Sequence, residues 1–188
     1  SLKIAEIFES ARTPAIILRA TMILGSGSAS FEILRYLADR QPVMLAPLWF
    51  RRALQPISIR NVLGYLEGCL TIGDAAVGQT FDIGGPDLVT LQDLMEIYVE
   101  EAGLNRRIVV PVPVVAARLS SRWIGLVTPA PRAVSQPLIE SMRSTMICRD
   151  NRIVSLIPQR LLSCREAIRL ALKRVEQQLV ETCWSDAG

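Results

Sequence analysis

The chain has no histidine among its 188 residues. That excludes Ser-His-Asp and Cys-His catalysis, histidine-ligated zinc and a histidine general base from this polypeptide's own chemistry. Any chemistry falls to Tyr, Lys, Asp, Glu, a cofactor or residues on another polypeptide. Cysteine is sparse: Cys69, Cys148, Cys164 and Cys183 are scattered and form no C-x-x-C pair. Buried or idle thiols are therefore expected, with no metal site and no disulfide framework. Long apolar runs are also lacking, since none approaches the ~20 residues that span a bilayer. The most apolar region, Ile108–Val127, is broken by Pro111, Pro113, Arg118 and Arg122. The first residues show no basic–apolar–small leader pattern, so the expectation is a cytoplasmic chain with no membrane partner. Charge of one sign is short as well: 21 basic and 18 acidic residues leave +3. No concentrated basic face follows from that balance, and no nucleic-acid partner is expected.

What is present is a folded composition, half hydrophobic and 21% charged. The length suits one domain with a full core, or one domain and an appendage. Lys3–Ala11 reads as an amphipathic helix ended by Thr13-Pro14. Ala15–Leu24 is a nearly continuous apolar run, the pattern of a parallel strand buried on both faces. Phe31–Arg40 then carries a helical stripe, with Ser28 or Ser30 as N-cap. Pro42–Pro47 and Gln55–Ile59 read as strands, and Asn61 as the cap of a helix over Val62–Thr71. Thr80–Ile83 is a strand running into the turn Gly84-Gly85-Pro86-Asp87, read as needing unusual backbone angles. Thr90 and Asp93 form a capping box for a helix over Leu91–Ala102, which stops at Gly103. Arg107–Val112 reads as a strand and Pro113–Val127 as a helix. Pro129–Arg132 is a break, Ala133–Arg143 is helical and Thr145–Cys148 extended. Arg165–Glu181 is a final helix with mixed charges on a solvated face. Helices alternating with short apolar strands give an α/β class.

Several positions invite a chemical reading. Gly25-Ser26-Gly27-x-x-Ser30 imitates the G-x-G-x-x-G pyrophosphate cradle, but Ser30 stands where the third glycine allows close helix–strand packing. No acidic residue sits about twenty positions onward to take a ribose hydroxyl. The glycines either let backbone approach a ligand or simply make the turn. Arg19, within an apolar strand, serves a strand-end salt bridge or a substrate contact. Arg51 and Arg52 either grip a phosphate or carboxylate or lie solvated on the surface. Gln55 is a polar cleft residue before Pro56, which marks an edge or irregular strand start. Trp123, with Arg118, Arg122 and Thr128, lines a substrate or interdomain surface or is core.

Four stretches carry a family resemblance by their order: TPAIILR (Thr13–Arg19), GSGSASFEILRYLADR (Gly25–Arg40), LQPISIRNVLGYL (Leu54–Leu66) and GQTFDIGGPDLVTLQDLM (Gly78–Met95). Together they resemble the later part of an extended or atypical short-chain dehydrogenase/reductase of the nucleoside-diphosphate-sugar epimerase kind. The likeness extends to bacterial NAD(P)-binding members followed by a polyketide-cyclase-like domain, in which RLSSRWIGLVTP (Arg118–Pro129) and VETCWSDAG (Val180–Gly188) have counterparts. The resemblance implies the C-terminal part of an NAD(P)-binding Rossmann-like α/β fold, lacking the N-terminal dinucleotide-binding half. Residues 1–150 would be its substrate-side part, and 151–188 a helical extension leading to a following domain.

The family's TGxxGxxG loop and Tyr-x-x-x-Lys pair do not occur in this sequence. Lys3 has no tyrosine before it, so no catalytic residue is assigned. By resemblance, Ala20, Thr21 and Met22 contact the nicotinamide side of the cofactor. Gly25, Ser26, Gly27 and Ser28 border the substrate cleft, with Arg51, Arg52 and Gln55 on its wall. NAD or NADP is the cofactor expected of the longer protein, with none bound by this chain alone. A small-molecule substrate, the dinucleotide-binding half and a second copy in a homodimer are the expected partners. The implied function is the substrate-binding portion of an NAD(P)-dependent oxidoreductase, inactive alone. A non-catalytic dinucleotide- or small-molecule-sensing scaffold is the alternative, and a docking module built on Ile108–Val127 a third.

Overall fold

The computed structural model describes residues 15–73, 76–112 and 146–180. The helices read over Lys3–Ala11, Pro113–Val127 and Ala133–Arg143, the break at Pro129–Arg132, and Trp123, Arg118 and Arg122 lie outside the described residues.

The described chain runs β1 (Ile17–Ala20), β2 (Ile23–Leu24), α1 (Ala29–Arg40), β3 (Val43–Pro47), a 3-10 turn (Leu48–Arg51), β4 (Ala53–Leu54), β5 (Ile57–Ser58) and α2 (Ile59–Cys69). It continues with β6 (Thr80–Ile83), β7 (Val89–Thr90), α3 (Leu91–Glu101), β8 (Ile108–Val112), α4 (Arg152–Leu156) and α5 (Cys164–Glu176). The class is mixed α/β. Three strand pairs are parallel: β1 with β6, β2 with β5, and β3 with β8. β4 and β7 pair antiparallel.

The apolar run at Ala15–Leu24 forms two short strands rather than one. β1 pairs with β6 and β2 with β5, and the chain changes partner at Thr21–Met22. Nor is β1 buried on both faces. Leu18 and Ala20 turn toward a buried cluster with Phe81 and Ile83, while Arg19 is exposed opposite Asp82. Burying an unpaired guanidinium would cost several kcal/mol. Arg19 instead meets Asp82 at 2.8 Å near the surface, the strand-end salt bridge of the two readings.

Ser28 caps α1 by accepting from the Phe31 N–H at 3.3 Å. The Thr90/Asp93 capping box opens α3 as read. Asn61, however, caps nothing. Ser58 is the N-cap of α2, and Asn61 is buried one turn in. Its amide donates to the Gln159 side chain and the Arg160 carbonyl, and its oxygen accepts from Leu162 N–H. A short polar side chain there was readable as a local cap; a distant segment claimed it instead. The final helix starts at Ser163, which forms a capping box with Glu166. Its arginines lie on a solvated face as read, and their partners are on another helix: Arg165 and Arg169 pair with Glu101 of α3, both at 2.8 Å.

Two hydrophobic clusters result. The larger joins α1, α3 and α5 through Phe31, Leu34, Leu94, Met95, Tyr98 and Ile168. The smaller joins α2, α4 and β6 through Val62, Tyr65, Phe81, Ile83 and Ile153.

Candidate functional site

In open α/β sheets ligands bind outside the carboxyl ends of strands, where connections diverge. Here β1, β2 and β5 end at the boundary between the two clusters. The segment 54–57 crosses it, since Leu54 belongs to the larger cluster and Ile57 to the smaller. Of the predicted cofactor and cleft residues, Thr21, Met22 and Gln55 lie on this boundary.

Thr21, at the partner change, donates its hydroxyl to the Gln55 carbonyl. Ile57 N–H reaches the Met22 carbonyl at 2.8 Å, which aligns β2 with β5. Met22 is 2% exposed and packs in the larger cluster, and its carbonyl is taken by the Ile57 N–H. Ala20, half-buried, ends β1 beside Ile83.

Gln55 is tied at every polar group. Its Nε2 donates to the Gly85 carbonyl at 2.9 Å, and its Oε1 accepts from Cys148 N–H at 2.9 Å. Its backbone N–H reaches Met146 O at 2.8 Å. One amide thus joins the approach to β5, the turn after β6 and the 146–148 segment. The glycines opposite are explained by proximity rather than dihedral angle. Neither Gly84 nor Gly85 is among the positive-φ glycines, which corrects the turn reading. Gly85 N–H instead meets Pro56 O at 2.9 Å, and a methyl group at Gly85 would overlap that carbonyl.

Gly25-Ser26-Gly27-Ser28 is a turn closed by Ser28 N–H to Gly25 O at 3.1 Å. Gly27 takes φ 79°, which an L side chain rarely adopts. Gly25 is buried against Ile59, whose Cγ2 lies 2.5 Å from where a Cβ would stand. The serines face inward: Ser28 and Ser30 both donate to the Ile23 carbonyl, at 3.1 and 2.6 Å. Ser30, the misfit in the glycine pattern, is what ties the start of α1 to β2. Ser26 and Gly27 form the half-exposed tip. Arg51 and Arg52 are exposed at the end of the 3-10 turn, and Arg51 borders a small cleft of about 60 Å³ with Gln92 and Val109. The structure gathers Thr21, Met22 and Gln55 around one junction. It does not add Arg51 or Arg52 to those contacts.

The titratable groups nearby are quiet. Burial pushes the Cys148 thiol up to about 11, with Asp82 adding to the shift, so it is protonated at neutral pH. Burial and Asp87 raise Cys164 to about 12. Burial also raises the hydroxyls of Tyr65 and Tyr98 above the usual tyrosine value. Tyr98 donates to Asp39 at 2.9 Å, and Tyr36 lies under the guanidinium groups of Arg35 and Arg40. Sequence reasoning missed Gly85 and Cys148 as the two ends of the Gln55 tie. Only the polar residue beside a proline signalled it. Among the described residues no cluster of His, Cys, Asp or Glu could hold a metal ion, and no helix is long and apolar enough to cross a membrane.

No family model and no curated protein matches the sequence. Solved structures do match the fold. RMD from Pseudomonas aeruginosa complexed with NADPH superposes with a TM-score of 0.62 at 10% identity, covering 94% of this chain and 55% of that one. UDP-glucuronic acid 4-epimerase from Bacillus cereus in complex with NAD gives 0.60 at 10% identity, covering 94% and 48%. UDP-glucose 4-epimerase with UDP-glucose from Thermotoga maritima gives 0.60 at 12% identity, covering 95% and 51%. The chain spans about half the length of these neighbours, and over that half it has their mixed α/β fold.

Proposed function

We propose that this chain is the substrate-side part of an NAD(P)-dependent, epimerase- or dehydratase-like oxidoreductase of the short-chain dehydrogenase/reductase superfamily. The observation that carries the reading is the coincidence of two things. The fold matches structures named for NADPH, NAD and nucleotide-sugar ligands, and Thr21 and Gln55, two of the residues expected at the cofactor and substrate, are hydrogen-bonded to each other. In this reading the missing half of the fold binds the dinucleotide and supplies the acid/base pair. Ala20 and Thr21 meet the nicotinamide side, with the buried Met22 behind them, and the turn tip Ser26–Gly27 borders the substrate. Gln55 acts through the backbone it holds, while Arg51 and Arg52 offer charge to an anionic part of the substrate. Hydride passes between nicotinamide and an alcohol or ketone carbon in the intact enzyme.

Equilibrium titration of NADPH onto the 188-residue chain tests the division of labour. Binding weaker than about 100 μM is expected, because few of the pyrophosphate contacts that supply affinity would be present. Low-micromolar binding would place the dinucleotide site within this chain and overturn the reading.

A further inference from the structure

α3 and β8 are joined by a short return whose two ends are fastened. Gly103 takes φ 64°, and Leu104 N–H closes the helix on the Val99 carbonyl at 2.9 Å. At the far end Arg107 donates to the Ala38 and Asp39 carbonyls where α1 finishes, at 2.8 and 3.4 Å. Between the return and α3 lies a cavity of about 370 Å³, within the range of small-molecule sites. Met44 and Val109, paired across β3 and β8, line it together with Met95 and Val99 of α3. Thr21, Met22 and Gln55 do not. Four charged residues complete the lining: Glu96 and Glu100 from α3, and Arg106 and Arg107 from the return. Two of them are engaged elsewhere, since Glu100 pairs with Arg165 at 2.6 Å and Arg107 is fastened to α1. Glu96 accepts from the neutral Gln92 amide at 3.2 Å. Glu96 and Arg106 are both exposed, and neither forms an ion pair among the described residues.

We infer that this cavity binds an aromatic α-amino acid. The two uncommitted charges select a zwitterion. They have opposite sign, stand on different walls of one cavity and do not pair with each other, so each is left for a ligand. A purely anionic ligand would meet Glu96 and Glu100, and a purely cationic one Arg106 and Arg107. An α-amino acid satisfies both signs at once, its carboxylate taking the Arg106 guanidinium and its ammonium the Glu96 carboxylate. The remaining lining is apolar and receives the side chain. Two of those residues are methionines, whose thioethers make favourable contacts with the edge of an aromatic ring. That selects a ring over a branched aliphatic chain. Both walls are held by backbone and side-chain hydrogen bonds before any ligand arrives, which keeps the ordering cost of binding low. This inference is independent of the proposed function.

Isothermal titration calorimetry of L-phenylalanine onto the 188-residue chain tests the site. A Kd on the order of 100 μM is expected for a ligand of about twelve non-hydrogen atoms. Phenylpropionate lacks the ammonium and phenethylamine the carboxylate, and each should bind about ten-fold more weakly or worse. L-Leucine, which keeps both charges and loses the ring, should bind about three-fold more weakly. Glu96→Gln and Arg106→Gln, both at exposed positions, should each weaken L-phenylalanine about ten-fold. Each substitution touches only its own group, so Glu96→Gln should not weaken phenylpropionate and Arg106→Gln should not weaken phenethylamine. Circular dichroism confirms that each variant is folded. Absence of L-phenylalanine binding up to about 5 mM overturns the site. Binding indifferent to both substitutions overturns it too, because the ligand then sits elsewhere. Phenylpropionate or phenethylamine as tight as L-phenylalanine overturns the zwitterion, and L-leucine as tight overturns the aromatic assignment.

Discussion

The two hydrophobic clusters are built differently. The larger is closed by helices: α1, α3 and α5 pack against one another, and the α3–α5 contact is tied at its rim by Glu101 with Arg165 and Arg169. The smaller is open. Its sheet is only two strands wide, Arg19 faces water from it, and its main helix leaves four aliphatic side chains exposed. Many of its apolar contacts, including Ile16, Leu18 and Ile23, are only partly buried. Parallel strands normally lie in sheets covered on both faces. Among the described residues, one half of this molecule is closed by its own helices and the other keeps apolar side chains at its surface. The candidate site lies between them.

Three substitutions and one control separate these regions, beginning with the boundary. Gly85→Ala should destabilise the fold by about 3 kcal/mol in urea titration, because the methyl meets backbone that has no easy way to move. Gly25→Ala, whose methyl would meet Cγ2 and Cβ of Ile59 but no backbone, serves as the milder control at about 2 kcal/mol. Equal effects would show that the boundary is no tighter than its surroundings.

Within the smaller cluster, Asn61→Ala removes three hydrogen bonds that fasten α2 to residues 159–162. A loss of about 2 kcal/mol is expected. Hydrogen exchange should show faster opening of α2, with α1 and α3 unchanged. Uniform acceleration would mean that the two clusters open together.

The smallest effect belongs to the larger cluster. Hydrogen bonds from Arg169 and Arg165 hold the Glu101 carboxylate down to about 2. Its folded value lies below its unfolded value, so its contribution is present above the ordinary carboxylate range and is lost as pH falls toward 2. Glu101→Gln should flatten that part of the acid limb in urea titrations between pH 6 and pH 2. An unchanged limb would remove the ion pair from the account of how α3 and α5 stay together.

How much of this was legible in the sequence depends on where each signal resides. β6 and α3 were readable almost to the residue, because a turn and a capping box bracket them. α1 was readable because Ser28 and a 3.6-residue stripe agree. The split of Ala15–Leu24 was not readable, since a change of strand partner leaves no mark on an apolar run. Asn61 misled because a cap and a buried bridge use the same side chain, and the choice rests with a segment about a hundred residues away. α4 went unread, being too short for a periodic stripe to declare itself. At the candidate site the glycines and Gln55 were visible, but their purpose was not. Gly85 looked like a turn requirement and is a close approach; Gln55 looked like a ligand contact and has both ends of its amide engaged by backbone.

That engagement restricts what position 55 accepts. It must offer one donor and one acceptor at the end of a side chain of this length. A glutamate would set a carboxylate against the Gly85 carbonyl, and a lysine would leave Cys148 N–H without its acceptor. Asparagine falls one carbon short. Glutamine is therefore held at this position by the backbone around it, before any substrate arrives. Were it invariant among relatives, the invariance would look like a binding signature while arising entirely from how three pieces of chain are kept in register.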